Sequence, residues 1–266
     1  MHRPPTHSPP PLPAIALAVI ALLSLVPLPA AQAEELVIGF EDLDFYPYGK
    51  PSEDKIFVGY LRSVLEAFAA DRGHRLAFAV TPLKRLYMGF AEGDVDMFVP
   101  DNPAWSQEYK AGVDIYYSDP IAVALDGFAV LPGREREAVG DGIVHVGTIL
   151  GFTVEPLFDD AQRKRLVFDR VSRFESSFRA LLLGRVDAVY CNLAVAENVL
   201  AKIGKPPASI SWSRALPAFK SDFQVSSTRR ELIDELNRWL RSETARVEAM
   251  KREYGVLAGE TRPWGE

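Results

Sequence analysis

The chain has 266 residues, 48% of them hydrophobic and 25% charged, with a formal net charge of −6. That acidic balance speaks against a nucleic-acid partner, which would need a basic face. Cys191 is the single cysteine, which excludes an intramolecular disulfide and leaves stability to the core; in its apolar surroundings it reads as a buried, inert thiol.

Residues 1–33 read as an export signal. Arg3 precedes an apolar run over 14–26 that only Ser24 interrupts; Pro27 and Pro29 break it, and Ala31-Gln32-Ala33 has the small-x-small pattern of a cleavage site. The run is shorter than the ~20 residues that span a bilayer. Cleavage after Ala33 is therefore expected, and with no cysteine there, no lipid anchor. The mature chain is expected in the periplasm.

A strand is predicted over 36–40, then a loop over 41–51 rich in acids and aromatics. Leu61, Val64, Leu65 and Phe68 recur at spacings of three and four, which predicts an amphipathic helix over 58–72, stopped by Gly73. A strand over 76–80, a helix over 83–91 stopped by Gly93, and a strand over 95–99 follow. Such alternation implies a mainly parallel sheet with helices on its faces. Ligands are expected beyond the strand C-terminal ends.

An extended stretch over 116–131 and a polar linker over 132–142 come next. The alternation then returns: a strand over 144–147, a loop over 148–151, a helix beginning over 152–158, a strand over 166–171, a helix over 175–183 and a strand over 186–190. Phe90 to Phe98 matches Leu182 to Val189, each with an apolar helix end, a glycine, a charged residue, Val-Asp and a strand. A second extended stretch over 219–226 precedes a final helix over about 230–254. The expected organisation is a first lobe from 34–128 and 218–266, a second lobe from 129–217, and two crossing strands as the hinge.

The order Gly39-Phe40-Glu41, Tyr46-Pro47-Tyr48, Gly93-Asp94-Val95-Asp96, Tyr117-Ser118-Asp119-Pro120 and Gly184-Arg185-Val186-Asp187 resembles the family 3 extracellular solute-binding proteins, the amino-acid-type receptors of ABC importers. The resemblance covers nearly all of 35–256. It implies an α/β, two-lobed periplasmic-binding-protein fold of type II, closure on a small-molecule ligand, and an inner-membrane ABC permease as partner. Such receptors place an Arg before the Tyr-Ser-x-Pro motif to fork an α-carboxylate; here 103–112 holds only Lys110 as a cation. They also place an Asp after the later Val-Asp strand to hold an α-ammonium; the matching residue is Asn192. The resemblance thus fixes the fold class and leaves the ligand open.

Several residue groups are candidates for ligand contact. Asp42, Phe45 and Tyr46 in the first loop offer a charge and stacking faces. Arg85, at the start of the second helix, offers a planar anion fork. Asp101, Asn102 and Trp105 follow the third strand. Thr148 and Thr153 flank a turn into an expected helix, whose free N–H groups suit an anion. Asn192 is a candidate from its matched position. No His/Cys cluster has metal-ligand spacing and no phosphate loop or nucleophile elbow occurs, so no metal, cofactor or catalytic group is expected. A monomer that binds without chemistry is the expectation. A periplasmic dehydratase or lyase on the same fold, and a ligand-sensing subunit for a membrane kinase, are the alternatives.

Overall fold

The computed structural model describes residues 34–52, 56–152 and 154–256. The expected export signal over 1–33 lies outside the described residues, and so does Thr153. No described helix is long and apolar enough to cross a membrane.

The first half of the chain builds β1 (Glu35–Glu41), the short pair β2 (Lys50–Pro51) and β3 (Phe57–Val58), α1 (Tyr60–Arg72), β4 (Arg75–Thr81), α2 (Leu83–Glu92), β5 (Met97–Asp101) and the single turn α3 (Gln107–Lys110). β6 (Tyr116–Tyr117) and the long β7 (Ala122–Val130) follow, then the short pair β8 (Ala138–Val139) and β9 (Gly142–Ile143). The alternation resumes with β10 (His145–Ile149), α4 (Asp160–Arg163), β11 (Val167–Val171), α5 (Phe174–Leu182), β12 (Ala188–Asn192) and α6 (Leu193–Lys202). β13 (Ser211–Trp212), β14 (Phe219–Ser227), α7 (Arg230–Ser242) and α8 (Thr244–Tyr254) complete the described chain.

Two similar half-sheets emerge. β4, β1 and β5 run parallel, with β14 antiparallel beside β5. β11, β10 and β12 run parallel, with β7 antiparallel beside β12. β7 and β14 pair antiparallel with each other, from Phe219↔Asp126 to Phe223↔Ala122, and join the halves into one sheet. The twin Val-Asp motifs do the same work in each half. Asp96 Oδ2 accepts the Val37 N–H at 2.8 Å, and Asp187 Oδ2 accepts those of Val144 and His145 at 3.0 and 2.8 Å. Each carboxylate ties the start of one strand to its neighbour. A glycine follows in each first strand. A Cβ on Gly39 would lie 2.5 Å from Leu86 Cδ1, and one on Gly147 2.4 Å from Ser177 Oγ, so both glycines let a helix pack close on the sheet.

The core follows the apolar periodicity. Leu61, Val64, Leu65 and Phe68 of α1 are buried, and Gly73 ends the helix in the left-handed conformation at φ 79°. Each such Leu or Phe contributes about 1.5–3 kcal/mol by leaving water. α7 buries Leu232, Leu236, Trp239 and Leu240.

Two sequence expectations need correction, and one helix was not expected. The final helix is two, α7 and α8, broken at Glu243. No α-helix begins over 152–158: β10 extends through Ile149, Gly151 turns at φ 94°, and only a 3₁₀ turn, Glu155–Leu157, forms. Pro156 lacks an N–H to continue a helix, and Asp159 opens α4 afresh with a capping box to Gln162. α6, which the sequence reading passed over, is capped by Asn192 and buries six of its apolar residues.

Candidate functional site

Parallel strands put their C-terminal ends on one rim. In the first half that rim carries Glu41, Asp42 and Asp101; in the second it carries Thr148, Ile149 and Asn192. The two rims meet. Asp44 is paired with Lys202, the Phe45 ring lies 6.4 Å from Phe152 and 6.0 Å from Phe174, and a Cβ on Gly151 would sit 3.3 Å from Leu83 Cδ2. The two rims are therefore in contact, through an aromatic cluster and the Asp44–Lys202 ion pair.

Phe45 is at the centre of that cluster. Its ring is 5.6 Å from Tyr48 and 5.9 Å from Phe223, and Trp105 meets Phe223 edge-on at 5.6 Å. Two candidates, Phe45 and Trp105, are thus joined through Phe223 of β14, on the crossing strand. Tyr46 diverges: its N–H donates to Asp44 Oδ1 at 3.3 Å and Lys50 Nζ lies 5.3 Å from its ring. Asp42 is exposed, and its N–H ties the loop to the Thr81 carbonyl at 3.0 Å. Arg85 is exposed on the first turn of α2 and forms no ion pair with a described residue.

Asp101 is fully buried. Its Oδ1 accepts from Lys110 Nζ at 2.7 Å, Tyr87 OH at 3.0 Å and the Asn102 N–H at 2.8 Å, while Oδ2 has no hydrogen-bond partner among the described residues. Lys110, the one cation of 103–112, is thereby committed to Asp101 and to the Asn102 carbonyl at 2.6 Å. Burial, then the neighbouring Asp101 charge, pushes the Tyr87 phenol far above its ordinary value. Asn102 stitches its loop to β14, donating to the Asp222 carbonyl at 2.9 Å and accepting from the Ala104 N–H at 2.9 Å. The Asp101–Asn102 pair thus shapes the rim from within.

On the second rim, Thr148 is a buried β10 residue whose Oγ1 lacks a hydrogen-bond partner among the described residues. The anion cradle expected of a helix after it is not built, because no α-helix begins there. Asn192 is buried and employed: Oδ1 accepts the Ala194 and Val195 N–H groups at 3.0 and 3.4 Å, and Nδ2 donates to Asp126 at 3.0 Å.

Asp126 itself escaped the sequence reading. The signal was an acid interrupting the apolar run Ala122-Val-Ala-Leu-Asp126-Gly-Phe-Ala-Val130. It accepts from Asn192 and, at 3.3 Å, from Tyr190 OH. Burial raises its pKa to about 6 against those two hydrogen bonds. Burial, with Asp42 adding to it, raises Glu41 to about 7. Both folded-state values lie above the unfolded ones, so the folded protein binds more protons from the ordinary carboxylate range up to about 7, and stability falls as pH rises through that window. The melting temperature should thus be higher at pH 5 than at pH 8, and Glu41→Gln should flatten the decline. A decline of the parent's size in Glu41→Gln would rule Glu41 out as its source.

Among the described residues, no group of three or more His, Cys, Asp or Glu could hold a metal ion. No protein-family model matches the chain, and no curated protein matches it. Solved structures do. A Streptococcus pneumoniae substrate-binding protein of an ABC uptake transporter, with bound histidine, is 14% identical over 83% of this chain and 92% of that one, with a TM-score of 0.67. A Salmonella typhimurium periplasmic binding protein of high arginine specificity is 15% identical over 84% and 99%, with a TM-score of 0.66. An ancestral amino-acid-binding protein, a precursor of cyclohexadienyl dehydratase, is 18% identical over 83% and 95%, with a TM-score of 0.64. At these identities the likeness shows the fold: that of the two-lobed periplasmic binding proteins.

Proposed function

We propose that the protein is an exported solute receptor that closes two lobes on a small polar solute and delivers it to an inner-membrane ABC permease. Residues 34–128 with 218–266 form the first lobe in this reading, and 129–217 the second. The protein works as a monomer in the periplasm, freed of residues 1–33. The observation that carries the reading is the pair of facing rims on two half-sheets that share the β7–β14 strand pair, with Phe45, Phe152 and Phe174 meeting between them. The ABC uptake transporter's substrate-binding protein and the periplasmic arginine-binding protein of like fold support it. Open and closed forms exchange about the crossing strands, and a solute that touches both rims stabilises the closed form alone.

A thermal-shift screen of amino acids, carboxylates, amines and short peptides tests this. A solute at 100 times its Kd adds about 2.7 kcal/mol of stability. The hit should also shrink the radius of gyration in X-ray scattering of protein prepared free of solute. Arg85→Ala or Trp105→Ala should weaken it about tenfold with little change in fold. A hit that neither compacts the protein nor responds to either substitution would sink the reading.

A second reading, a periplasmic dehydratase or lyase, is favoured by the Glu41 carboxyl near neutral pKa at the rim and by the dehydratase precursor of like fold. Turnover of a hit, lost in Glu41→Gln, would establish it.

A further inference from the structure

Four acids around the sheet are matched by cations. Asp101 has Lys110, Asp44 has Lys202, Asp96 has Arg229 and Asp187 has Arg134. Asp126 differs: its two hydrogen-bond donors, Tyr190 and Asn192, are neutral, and it forms no ion pair with a described residue. It lies on β7, directly opposite Asn192 on one side and Phe219 on the other. Residues opposite each other in an antiparallel ladder share a face. The register therefore puts Asp126 on the same face as Ser221 and Phe223, and Phe223 is the ring that meets Phe45 and Trp105.

Aromatic rings lead from Asp126 across to the opposite rim. Tyr190, which touches the carboxylate, lies 6.5 Å from Phe152; Phe152 lies 6.4 Å from Phe45; Phe45 lies 5.9 Å from Phe223. Ring faces attract cations, and desolvated rings do so more strongly. Two cations near the rims are already spent, Lys110 on Asp101 and Lys202 on Asp44, and Arg85, which forms no ion pair with a described residue, is exposed on α2 and makes no contact with these rings. Glu41, on the facing rim, also forms no ion pair with a described residue.

We infer that the cleft takes an organic ammonium ion, with Asp126 as its counter-charge and the rings of Tyr190, Phe152 and Phe45 as its wall. This rests on the solute-receptor reading and names its ligand class. The ammonium replaces the missing cationic partner of Asp126, while its carbon substituents displace water from the rings. A zwitterion would bring a carboxylate that this wall has no charge to meet.

Calorimetric titration with choline, phenethylamine, glutamate and 3,3-dimethylbutan-1-ol, the uncharged isostere of choline, tests the assignment. At least one of the two ammonium compounds should bind more than tenfold tighter than the neutral alcohol. Asp126→Asn should abolish that preference. Phe152→Leu, which keeps apolar bulk and removes the ring, should weaken ammonium binding several-fold and leave the alcohol unchanged. Cooperative melting of both variants shows that they fold. Ammonium binding no tighter than that of the alcohol, or unchanged in both variants, overturns the inference. Tight binding of glutamate with compaction of the protein overturns it too, but leaves the solute-receptor reading standing.

Discussion

Replacing Lys110 by methionine is expected to cost about 3–5 kcal/mol of folding stability, because it strands a buried charge. For a chain of this size that lowers Tm by about 10 °C. The side chains of Lys110 and Asp101 are 6% and 0% exposed and meet at 2.7 Å. Without the ammonium, the donors left to the buried Asp101 carboxylate among the described residues are the Tyr87 hydroxyl and the Asn102 N–H. The double variant Lys110→Met/Asp101→Asn removes both charges, and should therefore lose clearly less than the sum of the single losses. Urea unfolding of the four proteins measures the coupling. Additive losses, or a Lys110→Met cost below about 1 kcal/mol, would show that the pair is solvated in solution.

Phe223→Ala should combine a similar loss with a change of shape. A buried Phe→Ala change costs about 3–5 kcal/mol through lost transfer energy and the cavity left behind. Phe223 is 2% exposed, and its ring meets Tyr48 at 4.8 Å as well as Phe45 and Trp105. It is a residue of a crossing strand that supports the loop whose Phe45 reaches Phe152 and Phe174. Deleting it removes the backing of that contact, so the solute-free protein should populate a more open form. Phe223→Leu keeps most of the volume and should lose under about 1.5 kcal/mol. Thermal melts give the first effect, and X-ray scattering gives the second. An Ala variant as compact as the parent would show that Phe45 does not depend on its support.

The architecture was legible because its signals are local. Spacings of three and four marked α1, and Gly73 and Gly93 marked helix stops that adopt the left-handed conformation. The paired Gly-x-Val-Asp segments pointed to two like halves, which the matching strand orders bear out. The failures were also local. Pro156 and the Asp159 cap split a stretch that apolar pattern alone read as one helix, and Glu243 did the same near the end.

The site was less legible because it is built by pairing between distant strands. Asp126 and Asn192 are 66 residues apart and become neighbours only through the β7–β12 register. Lys110 looked like a lone cation because its partner's burial is a tertiary fact. Asn192 looked like a ligand group because its position matched one, whereas its oxygen already caps α6.

The chain path also dictates an order of assembly. Both ends of the described chain pack in the same half, where Tyr254 OH lies 2.7 Å from Ser63 Oγ and α1 borders β1 and β4. β14, the last strand of the described chain, sits between β5 and β7, which are complete some ninety residues earlier. Until residue 219 has left the ribosome, β5 and β7 both present a bare edge, and the earlier half stays open through synthesis of the later one. The strand that joins the two half-sheets thus arrives after both of its neighbours.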